Sequence, residues 1–489
     1  MKPTTTIIGS GFSSLAAATT LAASGVDVTI LEKNSSAGGR ARKFEHNGFT
    51  FDMGPSWYWM PDVFDKYFER FNKKTSDYYD LVRLDPSYSV FFKDERMDIP
   101  ASFTSLAELF ESKEKGAGKQ LERFLKDASI KYSAGIDDLV YKPGLSIFEF
   151  AQWKVIKGLA ELDLLTNFHD FARKYFTNPK LLSIIEFPVL FLGAMPKDTP
   201  ALYSLMNYAD LKLGTWYPMG GMHKIIEGMV DLAKEQGVKF EYDQPVEHIF
   251  ENGSMNVRTA LDNFKSDFVV GGADYHHIET ELLDKKDRQY SDKYWDKRTM
   301  APSCLIYYVG VDKRVDGLKH HNLFFDTPFD AHAKEIYKTE VWPENPLFYV
   351  CCPSKTDPSV APEGKENLFI LIPIAPGLDD DSEEKRASYF PQIIERIEKQ
   401  TGATLNGHIE YQKSYSVSEF KSDYNSFKGN AYGLANTLRQ TAFLKPRIQH
   451  KKLKNLYYTG QLTTPGPGMP PSLISGQVVA DQILKKINS

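Results

Sequence analysis

Three stretches of this chain, at 5–56, 216–274 and 455–487, read as short apolar runs closed by glycine and followed by helical patterning. In the first, Thr5 to Ile8 is apolar, Gly9-Ser10-Gly11 breaks it, a small-residue run begins at Phe12-Ser13, and a second apolar run ends at Glu32. Short runs bounded by glycine predict buried strands, and the long run between them predicts a helix. The alternating Phe49-Thr50-Phe51-Asp52 predicts a strand stopped by the turn Gly54-Pro55-Ser56-Trp57. Beyond it, Val63, Phe64, Tyr67, Phe68 and Phe71 recur at helical spacing.

From Leu106 to Leu213 the pattern is helical, with Leu106 to Phe110, Leu121 to Asp127 and Ile147 to Trp153 as pieces. Leu181 to Met195 is the most apolar run here, and Pro188 predicts that no plain helix passes through it. The second unit opens at Trp216 with the turn Pro218-Met219-Gly220-Gly221-Met222 and a helix carrying Ile225, Ile226, Met229, Val230 and Leu232. Strands follow at 238–242, from Val246 and at 268–270, the last closing on Gly271-Gly272-Ala273-Asp274. Residues 281–430 alternate short strands with Pro- and Gly-rich loops. Asn455 to Gly460 is a final strand, and Pro465 to Pro470 leads into a helix from Ser472.

The turns carry the candidate chemistry. A strand, a GxG turn and a helix let backbone approach a pyrophosphate, which the free N–H groups of the helix N-terminus then stabilise. Glu32 lies 32 − 9 = 23 residues beyond Gly9, where a carboxylate accepts from the ribose hydroxyls of a dinucleotide. Ser14 stands where the fingerprint usually has glycine, so the helix is expected slightly further from the strand. Gly38-Gly39-Arg40 adds a second loop whose arginine reaches a diphosphate as a bidentate donor. Nicotinamide dehydrogenases need no such loop, so FAD is the expected cofactor. The last strand, glycine turn and helix would seat the flavin end, with the helix dipole facing the ring.

Composition narrows the class. The chain has 489 residues, enough for two or three lobes, and its net charge of −5 gives no basic footprint for nucleic acid. Aromatic residues make up 13%, which suits a large apolar cavity or a bulky core. Cys304 stands alone and Cys351-Cys352 are adjacent, as in a reducing compartment. No secretory leader and no spanning helix are predicted. Lys154, Lys157, Arg173, Lys174 and Lys180 near the apolar run would meet anionic lipid, or that region is a helical cap over the site. No metal is expected, because the adjacent pairs His276-His277 and His320-His321, read as strand residues, would point to opposite faces without a third ligand.

Ile7 to Arg42, Asp52-Met53-Gly54-Pro55, Tyr217 to Met222, Val270 to Asp274, Gly429 to Pro446 and Gly460 to Pro470 together resemble the bacterial phytoene desaturases, flavoproteins of the amine-oxidase superfamily. Ser14, and Gln461-Leu462 before the proline loop, depart from the family's pattern. The resemblance implies an α/β fold with a two-dinucleotide-binding, Rossmann-like FAD domain in separated segments (1–95, 216–280 and 431–489), a helical cap at 96–215 and a mixed α+β substrate lobe at 281–430. It implies that Gly9, Gly11 and Ser13 face the pyrophosphate, Glu32 the adenosine ribose, and Gly39 with Arg40 the diphosphate, with Ser10, Phe12, Lys33, Gly54, Pro55 and Ser56 also in the cofactor site. Val246 would hold adenine through its backbone, Gly460, Gly468 and Met469 would lie beside the flavin, and Trp57, Tyr58 and Trp59 would wall the cavity.

The implied activity is dehydrogenation of a long polyene, with hydride passing to flavin N5 and then to O2 or a quinone, on a cytoplasmic enzyme bound peripherally to the membrane. No acid–base residue is singled out. A later, cyclic or hydroxylated carotenoid as substrate, carotenoid isomerisation with reduced flavin, and a non-enzymatic prenyl-lipid carrier are the competing readings. Intact Glu32 and Arg40 speak against the carrier. An amine oxidase would need a polar cage that the sequence does not offer.

Overall fold

The computed structural model describes residues 2–137, 139–145, 166–190, 193–437 and 440–489. A parallel five-stranded sheet runs in the order β19 (Leu456–Tyr458), β13 (Phe268–Gly271), β1 (Thr4–Ile8), β2 (Asp27–Leu31), β9 (Lys239–Glu241). Strands from all three predicted units therefore meet in one sheet. Strands β1, β13 and β19 are almost wholly buried, as suits strands covered on both faces, while β9 at the edge exposes Lys239 and Glu241.

Helix α1 (Phe12–Ala23) is buried from Phe12 to Ala22 because it lies between this sheet and the C-terminal helix Met469–Ile487. Small residues make that approach possible: a Cβ on Gly476 would stand 2.0 Å from the Ser13 carbonyl oxygen. Ser14 is accommodated from the other side. Its Oγ occupies the space that a side chain on residue 272 would need, 1.9 Å from the position of a Gly272 Cβ.

The second sheet has seven strands, in the order β18 (Ile409–Tyr415), β14 (Ser303–Val311), β17 (Glu366–Ile374), β16 (Phe348–Cys351), β15 (His321–Phe325), β6 (Tyr88–Phe92), β7 (Arg96–Ile99). All its pairings are antiparallel except β15 with β6. An antiparallel sheet β10 (Val246–Asn252), β11 (Ser254–Thr259), β12 (Asn263–Ser266) and two ribbons, β3 (Lys43–His46) with β4 (Phe49–Asp52) and β5 (Leu81–Arg83) with β8 (Trp216–Pro218), complete the strands. The expected boundary at residue 95 is corrected by this topology: it falls in the β6–β7 turn, and both strands belong to the second sheet. Strand β8, which opens the second unit, pairs with β5 outside the parallel sheet.

The seven-stranded sheet has two apolar faces. Leu305, Tyr307, Phe324, Val350 and Ile370 pack on one side with Tyr389, Ile393, Ile394 and Ile397 of the helix Glu383–Thr401. Ile306, Leu323, Phe325, Tyr349 and Leu371 point the other way and line a cavity. The 19-residue helix Glu383–Thr401 lies where the sequence reading expected strands and loops. Pro391 inside it masked a stripe at 389, 390, 393, 394 and 397.

Helices α2 (Pro61–Glu69), α3 (Phe103–Lys113) and α4 (Ala117–Asp137) form where the spacing predicts them. The predicted piece Ile147 to Trp153, with Lys154 and Lys157, lies outside the described residues. Against expectation, a helix does pass through Pro188, spanning Pro179–Leu190. Pro188 has no N–H for the Ile184 carbonyl, and buried Asn207 donates Nδ2–H to the adjoining Ile185 carbonyl at 2.8 Å. The expected lipid-facing cations are also engaged within the fold. Arg173 pairs with Glu186, Lys180 with Asp94 and Glu95, and Lys174 lies over the Phe171 ring.

Candidate active site

The C-terminal ends of β1 and β2, the N-terminus of α1 and the start of the C-terminal helix converge on a cavity of about 990 Å³. That is the upper end of the usual small-molecule range of about 300–1,000 Å³. Gly9, Ser10, Gly11, Phe12, Ser13, Glu32, Lys33, Gly39, Arg40, Gly54, Pro55, Ser56, Val246, Gly460, Gly468 and Met469 all line it. So do Trp57 and Trp59. Tyr58 does not: it is fully buried behind the wall, its hydroxyl 2.8 Å from that of Tyr79, because alternation along an extended segment turns it away from its two neighbours.

The turn at Gly9-Ser10-Gly11 is held by Glu32. Ser10 N–H and Oγ–H donate to Glu32 Oε2 at 2.9 and 2.6 Å, and Asn34 N–H and Nδ2–H donate to Oε1 at 2.9 and 2.8 Å. The carboxylate is thus fixed at the end of β2, 4% exposed, on the cavity edge. Helix α1 begins at Gly11 with no side-chain cap, leaving its first N–H groups for a ligand, and a Cβ on Gly11 would meet nothing within 4 Å.

Gly38 and Gly39 take φ of 120° and 55°, which turns the chain back so that Arg40 reaches inward. Its Nη2–H donates to Ser426 Oγ at 3.0 Å and Asn430 O at 3.3 Å, and its guanidinium lies 5.0 Å from the Tyr424 ring centroid. Arg40 Nε is buried and, among the described residues, has no partner. Burial lowers the arginine's pKa, opposed by Asp274, whose own carboxyl burial lifts to about 6. An unpaired, buried guanidinium N–H beside an uncapped helix N-terminus fits the diphosphate of FAD. Lys33 Nζ donates to Ser422 O at 2.7 Å and Asn425 Oδ1 at 3.4 Å, tying the end of β2 to the helix Val417–Tyr424 and the residue after it.

Two further ties join the separated segments. Asp52 accepts from Met222 N–H at 2.7 Å and His223 N–H at 2.9 Å, fastening the Gly220-Gly221 turn to the 54–56 loop. Tyr308 OH on β14 donates to Met53 O at 2.7 Å. Behind Trp57 and Trp59, Trp59 Nε1–H donates to Thr215 Oγ1 at 2.9 Å and Tyr88 OH donates to Asp210 at 2.9 Å. The sequence reading missed Asp274, Tyr424, Asn430 and the tyrosines 337, 349 and 432 that line the cavity or hold Arg40. Asp274 was legible as the residue closing Gly271-Gly272-Ala273. The tyrosines carried no local signal.

The two histidine pairs also differ from the expectation. His276 and His277 lie on a short helix, Tyr275–His277. His320 precedes β15, so its ring and that of His321 meet instead of diverging, and Cys351 stands beside them.

Parallel sheet, glycine turn and converging helix N-termini define a dinucleotide-binding flavoprotein, and the relatives agree. A family model for flavin-containing amine oxidoreductases matches residues 12–484. The carotenoid 3,4-desaturase of Haloarcula japonica is 43% identical over 99% of this chain and 98% of its own. The zeta-carotene-forming phytoene desaturase of Myxococcus xanthus is 31% identical over 98% and 93%. Among solved structures, an oxidoreductase from Methanosarcina mazei superposes with a TM-score of 0.64 at 16% identity over 99% of this chain and 100% of that one. A fatty acid isomerase from P. acnes gives 0.59 at 15% over 98% of each. These two show a shared fold. The chain belongs to the flavin-containing amine oxidoreductase family and groups within it with the carotenoid desaturases. It is an FAD-dependent oxidoreductase.

Proposed function

We propose that this flavoenzyme introduces a carbon–carbon double bond into a long carotenoid, and that its bond is the 3,4 position of an already extended polyene. The observation that carries the first part is one cavity whose one end is the FAD cradle and whose other walls are apolar and aromatic, from Trp57 and Trp59 to Leu323, Phe325 and Leu371. The much higher identity to a 3,4-desaturase than to a phytoene desaturase supports the second part. Bound FAD supplies the two-electron acceptor. The chain's residues supply the rest: Glu32 and Arg40 hold the dinucleotide, the aromatic wall keeps water out, and the sheet face orients the hydrocarbon over the flavin end.

Isomerisation shares this frame, but the two sequence relatives named above, at 43% and 31% identity, are desaturases, and they favour net oxidation. Among the described residues no helix is long and apolar enough to cross a membrane. Phe443 lines the cavity yet is 38% exposed, and Leu444 beside it is 43% exposed. Their exposure supports a mouth through which a polyene would pass from a bilayer surface. The test is product analysis with the FAD-loaded protein and liposomes carrying either phytoene or an extended acyclic carotenoid. A product two hydrogens lighter from the extended substrate alone is expected. Turnover of phytoene alone would overturn the 3,4 assignment, and an isomer of unchanged mass would overturn desaturation.

A further inference from the structure

His321, the first residue of β15, pairs with Cys351 at the end of β16. Cys352 N–H donates to the His320 carbonyl at 2.8 Å, which holds the preceding histidine beside the same strand end. The two imidazole rings lie 4.5 Å apart between centroids. One ligand-capable atom from each of His320, His321 and Cys351 lies within 4.8 Å of the other two. The three residues are 4%, 0% and 4% exposed.

Each imidazole spends one nitrogen on a hydroxyl: His320 Nδ1 lies 2.8 Å from Thr356 Oγ1 and His321 Nδ1 2.6 Å from Tyr349 OH. Both Nε2 atoms are buried and, among the described residues, unpartnered. An unpaired buried polar group costs about 1–3 kcal/mol, and two such atoms beside one thiol share a common solution. In the tautomer that gives Nδ1–H to the neighbouring hydroxyl, each ring presents a lone pair at Nε2, the arrangement found around metal-bound histidines.

We infer that His320, His321 and Cys351 form a buried two-nitrogen, one-sulfur site for a borderline-soft divalent cation of the zinc class, with its fourth position open to water. In a tetrahedral shell with ordinary bond lengths such ligand atoms sit roughly 3.3–3.6 Å apart, so the three close by about 1 Å on binding. The Cys351 S–H bond breaks as the S–metal bond forms, and the proton leaves to solvent. The bound ion would clip β15 to β16 directly behind Trp57, whose ring stacks on His321 at 4.1 Å and 13°. The site stands apart from the cavity's chemistry and does not depend on which polyene is turned over.

The test is titration of the untagged, full-length, FAD-loaded protein with Co²⁺, read by the near-ultraviolet thiolate-to-cobalt charge-transfer band. One equivalent should develop the band, Zn²⁺ should bleach it by displacement, and C351S should abolish it. H321Q, which keeps the thiol, should weaken binding at least tenfold while flavin absorbance reports an intact fold, and it decides the matter if C351S does not fold. A folded wild-type protein that shows no such band, or a band that survives in C351S, overturns the site.

Discussion

Glu32 has its four hydrogen bonds in place before any ribose is considered, so its removal loosens both the turn and the nucleotide. Bonds to a charged acceptor contribute about 1.5–3 kcal/mol each. Glu32→Ala is therefore expected to weaken FAD roughly ten- to a hundredfold, measured by quenching of flavin fluorescence on titration. An unchanged Kd would remove Glu32 from the cofactor site. Asp210, behind the tryptophan wall, gives a pH signature. Burial lifts its carboxyl from 3.8 to about 7, against the donations of Tyr88 and Thr215 that favour the charged form. A folded pKa above the unfolded one means that the native state holds the extra proton, so stability falls as pH rises from about 4 to about 7 and levels off above that. Asp210→Asn removes the titrating proton and with it the slope, keeping one acceptor oxygen while its amide group faces the other hydroxyl. Urea unfolding should show the variant gaining on wild type by on the order of 2 kcal/mol between pH 5 and pH 8. Parallel pH profiles for the two proteins would contradict it. At this scale the glycines, Glu32 and Arg40 were legible because their spacing carries a mechanism. Tyr58 was misread because three aromatic residues in a row say nothing of which face each takes.

At the scale of elements, α1 meets β1, β13 and the C-terminal helix through contacts that leave no room for a methyl group. Gly272→Ala puts a Cβ 1.9 Å from Ser14 Oγ and should cost about 1–3 kcal/mol in urea unfolding. Ser14→Gly in the same chain should restore most of that loss, a coupling that distinguishes this contact from general damage. Additive losses in the double variant would show that Ser14 and Gly272 do not share the space. The serine that departs from the dinucleotide fingerprint is thus matched by a glycine more than 250 residues later. The short parallel strands were legible from apolar runs closed by glycine. The helices Glu383–Thr401 and Pro179–Leu190 were hidden by Pro391 and Pro188, because a proline inside an apolar stripe reads as a break while tertiary packing of that stripe keeps the helix.

For the molecule as a whole, the parallel sheet makes the cradle and the seven-stranded sheet makes the hydrocarbon wall, one face against a long helix and the other against the cavity. The partition of strands β6 and β7 into the second sheet was not legible, because pairing between residues 88–99 and 321–325 leaves no local trace. Exposed Phe443 and Leu444 at the mouth give the membrane proposal a test. The double change to serine should reduce co-flotation with liposomes several-fold while leaving FAD binding intact, and undiminished flotation would place lipid contact elsewhere.

The central claim is that one cavity holds the flavin against an extended polyene. It is tested most directly by mixing the FAD-loaded protein with carotenoid-bearing liposomes in the absence of oxygen and following flavin and polyene absorbance together. The account predicts that the oxidised flavin band bleaches in step with a shift of the carotenoid bands to longer wavelength, one double bond per flavin. A flavin that stays oxidised while the carotenoid spectrum is unchanged, with the substrate shown to be bound, would contradict it.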